Sequence, residues 1–478
     1  MESCKEKYVI LLLMGAVLVF CRKGVQSKRD MDLSISEEQG SYEEVDFVVV
    51  PSEEVVLETT EPVKHDERDI RVLLTDSLQE SPVLDSVLLV SEEVLVMEGA
   101  HSGEYPPGTL LVMEDVLDVG ETVTVYAKNR MGSICIQSLQ RSQGTPAYEG
   151  VLEITRTDNG FSIVNCLDLE TYLKYVVPSE MPSSYPEEAL KAQAVCARTY
   201  AVSQMQEHRL DGYEADVDDT ISFQVYNNIP RQESTDAAVD ETKGQIMIWQ
   251  NMPIQAYFFS TSCGFTSSDQ VWGNDTSAGY LESISVSEEA VEAMAAGEAM
   301  TSNGTDKLNP DEYLLHPQPG DFESEEPWYR WSVTFPWEEI EKRASAQFPE
   351  TGELKDISVT DRSDGGAAIA VLLTGSEETA IIENEYHVRE FLSPYGFSLI
   401  KNDGSESTNQ KLLPSAYLSL EICGNENEPD ALVIYGGGYG HGVGMSQNGA
   451  KCMAEKGWNW QEILKTFYQE ITFENEFG

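Results

Sequence analysis

The sequence predicts an α+β protein on three observations: short β-like runs crowd residues 70–166, a long alanine-rich helix follows, and helical spacing returns near the C-terminal end. The β-like runs are Ile70–Leu74, Ser86–Val90, Thr122–Tyr126, Ser133–Ile136, Gly150–Ile154 and Phe161–Val164. Gly, Pro and Asn-Gly turn signals separate them. The clearest helix covers 186–209. Pro186 suits a first helical position, Glu187 and Glu188 suit the positive end of the dipole, and His208 and Arg209 fall in the last turn before Gly212. Ala189, Ala192, Ala194, Ala197 and Ala201 permit close approach of neighbouring backbone. Lys191 and Arg198 share one face of this helix, either as a solvated face or in a paired or substrate-facing role. From Met445 to Glu455 and from Trp460 to Tyr468, apolar residues recur as in closing helices.

With 478 residues and 41% hydrophobic content, the chain can build two or three globular units. Its 83 acidic and 31 basic residues give a net charge of −52, a potential that repels phosphates and argues against nucleic-acid binding. Residues 1–29 carry Lys5, Lys7, a 14-residue apolar run from Tyr8 to Cys21, and Arg22-Lys23. That run is short for a spanning helix and suits a signal sequence. No small-x-small cleavage site follows, so an uncleaved signal-anchor behind a cytoplasmic stub is favoured over a cleaved signal peptide; bulky Phe20 before Cys21 departs from the lipoprotein pattern. Either reading puts residues 30–478 outside the cytoplasm. Residues 30–69 read as an acidic flexible stalk, with 13 acidic against 2 basic residues from Met31 to Asp69. Residues 70–166 form a β-rich part and 167–478 a motif-bearing core. The core is interrupted at 282–326 by an acidic insertion, expected to be a surface excursion. Six cysteines beyond the anchor permit disulfides but their spacing assigns none, and no CxxC or His cluster suggests zinc.

Three segments carry candidate chemistry. In Val176-Val-Pro-Ser-Glu-Met-Pro182, the prolines fix φ near about −65° at their own positions and bias Val177 and Met181 toward extended backbone. Glu180 is therefore expected on a stiff, non-helical mount, which suits an acid that must deliver a proton to one bond. Ala256–Thr266 reads as a buried aromatic strand turning at Ser260–Gly264 into a hydroxyl-rich loop able to hold a sugar or cap backbone groups. In Gly436–Ala450, glycines at 438, 440, 442 and 444 leave one side of an extended segment bare while Tyr439, His441 and Val443 project to the other. His441 is open to a structural or a functional role there. The spacing completes neither a dinucleotide fingerprint nor a P-loop. Trp331 reads as core in preference to a sugar platform.

Together, Leu169–Pro182 with the helix that follows, Phe258–Thr266 and Gly438–Gln447 resemble the stage II sporulation protein D family, which includes amidase enhancers. The resemblance covers 70–478 apart from the insertion. It implies a lytic transglycosylase acting on peptidoglycan glycan strands, in sporulating members strands already stripped of stem peptides. A cell-wall amidase or other sporulation membrane proteins are the implied partners, and no cofactor is implied. It places the catalytic acid on Glu180 and substrate binding on Lys191, Gln193, Arg198, Tyr200, Ser260, Ser262, His441 and Gln447. Some members carry a Cys/His metal site before Gln-Val-Tyr; Asp218–Tyr226 here has neither residue type, so no metal is expected. Cys196 and Cys263 stand where the family often has Ala and Gly, which implies either a disulfide or tolerated packing. One carboxyl group suffices for such an enzyme, since the muramoyl C6 hydroxyl attacks its own anomeric carbon. Asp168 and Glu170, the candidates for a second carboxylate, read better as positioning residues. Glu180 would need a raised pKa, from burial against Val177, Met181 or Tyr185 and from the negative field. The rival reading is a non-catalytic glycan-binding protein that enhances a separate amidase.

Overall fold

The computed structural model describes residues 69–76, 81–141, 144–207, 210–226, 229–274, 277–290, 310–316, 318, 320–425 and 428–476, and these are α+β as expected. The expected anchor over residues 8–21 and the stalk up to residue 68 lie outside them. No described helix is long and apolar enough to cross a membrane.

Most of the β-like runs become strands of a seven-stranded sheet. Its order is Val217–Asp218, Asp69–Leu74, Gly160–Asp168, Val151–Thr157, Thr122–Ala127, Leu95–Gly99 and Gly103–Tyr105. The first pairing is parallel and the others are antiparallel. In the central hairpin Ile154 faces Ile163, and the period-2 alternation sends Leu152, Ile154 and Ile163 into one core with Tyr172 and Tyr226. A four-stranded sheet adds Leu89, Ile134, Ile136 and Tyr148 to that core.

The alanine-rich helix runs from Glu187 to Glu207, and every residue from Ala189 to Gln204 is buried. Small side chains make this possible, because they let other elements press against the helix from all sides. Ala194, Ala197 and Ala201 enter the first core, whereas Ala189, Ala192, Cys196 and Tyr200 enter a second with Met445, Phe467 and Tyr468. The helix is a wall shared by two cores, which rules out a solvated face for Lys191 and Arg198.

A third core gathers around Trp331–Pro336, the central strand of a five-stranded sheet, and Trp331 is buried in it. The acidic insertion departs from expectation. Ile284, Val286, Leu314 and Phe322 are buried in the second core, so both flanks of the insertion are structural. Charge density outweighed the Ile284/Val286 alternation that marks a buried edge.

The glycine segment also differs from the expected extended strand. Gly438, Gly440, Gly442 and Gly444 have φ of 81°, 117°, 82° and 74°, so the chain corrugates through the left-handed region before Met445–Ser446 pairs in parallel with Phe258–Phe259. The closing helices follow at Gln447–Glu455 and Trp460–Phe467. Finally Thr472–Asn475 pairs antiparallel with Gln245–Ile248, a strand packed on the alanine-rich helix.

Candidate active site

Glu180 ends a helix, Leu169–Glu180, that the two prolines had argued against. Asp168 caps its start by accepting from the Thr171 N–H at 3.0 Å. Pro178 lies inside its last turn, where the missing N–H removes one bond two residues before the helix stops. Met181 then takes the extended backbone expected before Pro182, with φ −132° and ψ 134°. The mount is stiff for a different reason than proposed: the side chain leaves a packed helix end.

One carboxyl oxygen of Glu180, Oε1, accepts from the Val225 N–H at 2.6 Å. Burial pushes the Glu180 carboxyl up to about 7, against the lowering effect of that hydrogen bond. The negative end of the helix dipole acts in the same direction as burial. Among the described residues no cation pairs with it. Gln224 fixes the neighbouring backbone by donating to the Ala197 carbonyl at 3.1 Å and accepting from the Tyr172 hydroxyl at 3.3 Å. The Gln224-Val-Tyr226 run thus delivers the N–H that holds Glu180.

Gln447, first residue of its helix, donates to the Glu180 carbonyl at 3.0 Å and to Gln193 Oε1 at 3.3 Å. Gln193 is fully buried, and its Nε2 has no hydrogen-bond partner among the described residues. Next to it, Asn448 accepts from the Tyr185 hydroxyl, donates to Thr261 Oγ1 at 2.9 Å, and gives its N–H to the Ser260 carbonyl at 3.0 Å. Glu180, Gln193, Ser260 and Gln447 therefore form one constellation with Tyr185, Asn448 and Thr261. The sequence names Tyr185 only as a packing neighbour and gives Thr261 and Asn448 no individual role, because each matters through a partner far along the chain.

The other expected binding residues are engaged elsewhere. Arg198 is 0% exposed and forms a bidentate pair with Glu170 at 2.8 and 2.7 Å. Glu170 also accepts from the Gly244 N–H, so it and Asp168 are both engaged in holding the helix. Lys191 is held by Glu187, Glu188 and Glu241. Tyr200 is buried against Tyr257. Ser262 is 1% exposed and bonded to Glu323. His441 spends both ring nitrogens on backbone: Nδ1 accepts from the Val443 N–H at 3.1 Å, and Nε2–H donates to the Phe258 carbonyl at 3.1 Å. Burial, with Arg389 nearby, pushes His441 down to about 4, so it is neutral and braces the glycine loop. Arg198, Tyr200 and Ser262 are thus buried and engaged within the protein, while His441 is half-buried with both ring nitrogens on backbone.

A cavity of about 360 Å³ lined by Arg141, Glu149, Tyr175 and Arg231 reaches the same helix through Tyr175. Tyr175 and Glu180, five residues apart, point about 140° from each other around the axis, and Glu180 does not line the cavity. Cys196 and Cys263 are separate buried thiols, the first against Tyr468 and Met445, so tolerated packing is the correct reading. Among the described residues no cluster of three His, Cys, Asp or Glu side chains has metal-binding geometry.

Residues 157–249, which include Glu180 and the alanine-rich helix, match the family model described as Stage II sporulation protein. Residues 266–444 match a domain of unknown function. The chain is similar to the amidase enhancer of Bacillus subtilis (strain 168), at 29% identity over 314 residues, 63% of this chain and 40% of that protein. It thus spans well under two thirds of that relative's length. It is also similar to stage II sporulation protein D of the same organism, at 28% identity over 378 residues, 73% of this chain and 88% of that protein. The corresponding protein of Bacillus amyloliquefaciens is 28% identical over 332 residues, 66% of this chain and 77% of that protein.

Proposed function

We propose that this chain, whose residues 157–249 match the Stage II sporulation protein model and which is similar to stage II sporulation protein D, is a peptidoglycan lytic transglycosylase with Glu180 as its one acid and base. The observation that carries this reading is the state of Glu180: a carboxyl without a cation partner, raised by burial to about 7 and braced by Val225 and Gln447. Near neutral pH a useful fraction of such a group holds its proton.

In the reaction, protonated Glu180 gives its proton to the glycosidic oxygen as the bond from the muramoyl anomeric carbon breaks. The muramoyl C6 hydroxyl forms a new bond to that carbon. The Glu180 carboxylate takes the hydroxyl proton, which restores the acid and leaves a 1,6-anhydro end. No water is consumed and no second carboxylate is required. Export of residues 30–478 past an N-terminal anchor belongs to the same proposal, since the substrate lies outside the cytoplasm.

The test is digestion of denuded glycan strands by the purified chain, with products read by mass spectrometry. Anhydro-muramoyl ends should form with wild type, and Glu180→Gln should lower their rate by about 1,000-fold. Wild-type chain that binds the strands without cutting them would overturn the reading. That outcome would favour the second one, a glycan-binding enhancer of a separate amidase, which the similarity to a protein named amidase enhancer supports.

A further inference from the structure

At the end of the acidic insertion sits a second buried carboxyl group, Glu323, that the proposed reaction does not use. It is 1% exposed, so no glycan reaches it. Its Oε1 shares a 2.5 Å hydrogen bond with Ser262 Oγ, and its Oε2 accepts from the Ser262 N–H and from Ser446 Oγ, both at 2.8 Å. Among the described residues it has no ion-pair partner. Ser262 follows the strand Phe258–Phe259, and Ser446 ends the strand paired with it. Ser446 is also the N-cap of the next helix, its Oγ accepting from the Gly449 N–H at 3.2 Å. Glu323 thus joins two motif segments at the point where their ladder ends. The two residues after Ser446 are Gln447, bonded to the Glu180 carbonyl, and Asn448, bonded to Tyr185.

We propose that Glu323 is a positioning residue for the active site: a buried clamp on Ser262 and Ser446 that holds Gln447 and Asn448 against the Glu180–Tyr185 segment. This rests on the glycan-cleaving role of Glu180. Burial raises Glu323 to about 8, so the clamp works with a neutral acid. The carboxyl proton on Oε1 is donated to Ser262 Oγ, which also accepts from the Gly264 N–H, while Oε2 keeps its two donors. A glutamine reproduces this pattern, with Nε2–H in place of the acid O–H. An alanine leaves the Ser262 N–H without its carboxyl acceptor and frees Ser446.

The experiment compares full-length Glu323→Gln, Glu323→Ala and Ser446→Ala with wild type on denuded glycan strands, with folding checked by circular dichroism. Glu323→Gln should keep kcat within about 3-fold of wild type. Glu323→Ala and Ser446→Ala should lose about 100-fold in kcat with little change in KM, since a displaced acid slows chemistry more than binding. A folded alanine variant with wild-type kcat, or a folded Glu323→Gln as impaired as Glu323→Ala, overturns the clamp. If Glu323→Ala does not fold, Ser446→Ala and Glu323→Gln decide in the same way. Amide exchange of residues 178–186 separates this inference from the proposed reaction. Should wild type prove inactive, the reaction fails, yet faster exchange there in Ser446→Ala but not Glu323→Gln still supports the clamp, and unchanged exchange overturns it.

Discussion

Glu180 and His441 illustrate how one kind of sequence signal can hide opposite roles. Both sit in motif-bearing segments and both have strongly shifted pKa values, but Glu180 keeps a carboxyl oxygen free of side-chain partners while His441 commits both nitrogens to backbone. If Glu180 must begin protonated, the rate of glycan cleavage should fall as pH rises through about 7. A pH–rate profile in single-turnover conditions checks this, and a rate still climbing at pH 8.5 would contradict it. His441→Ala removes two half-buried hydrogen bonds and the packing of its ring, so it should cost about 2–4 kcal/mol of stability. Urea unfolding measures that loss, and Glu180→Gln should show no comparable one. Glu180 was legible in the sequence from its motif. The hydrogen bonds of Val225 and Gln447 to Glu180 were not, because Val225 lies 45 residues and Gln447 267 residues along the chain.

Among the elements, the alanine-rich helix was readable because its signals are local: Pro186, two glutamates and a run of small residues. The preceding helix was missed because proline was weighed as a breaker without regard to position. In the last turn, Pro178 costs one backbone bond, and Asp168 at the other end supplies a cap. The glycine segment was read as a flat strand since alternate glycines mimic a period of 2, whereas the backbone uses them for positive φ. Close packing adds to that demand at Gly444, where a Cβ would lie 2.0 Å from the Tyr257 carbonyl oxygen. Gly457 has a similar φ of 91° but open space around it. Gly457→Ala should therefore cost only about 1–2 kcal/mol, the left-handed penalty alone. Gly444→Ala should cost several times as much, and thermal unfolding of the two variants would reveal any equality.

For the molecule as a whole, the −52 net charge and the buried acids act together. Glu180 and Glu323 have folded pKa values of about 7 and about 8, above the roughly 4.3 of an unfolded glutamate. Between those values the folded state binds protons that the unfolded state has released, so stability from these groups is lost as pH rises. His441 works the other way between about pH 4 and about pH 6.5, where only the unfolded chain protonates it. The urea midpoint should accordingly be higher at pH 6.5 than at pH 8. Added salt should raise it at pH 8 by screening the self-repulsion. A midpoint that climbs from pH 6.5 to 8 would count against these burial-driven shifts.

The pairing of Thr472–Asn475 with Gln245–Ile248 has a consequence in time. Gln245–Ile248 abuts the alanine-rich helix, and Gln447 reaches back to Glu180 from the same late stretch of chain. A growing polypeptide that has made Glu180 still lacks Gln447, which bonds its carbonyl. Contacts this distant in sequence form late. If Glu180 cleaves glycan as proposed, order of synthesis acts as a delay, withholding that activity until residues 447–475 have been made.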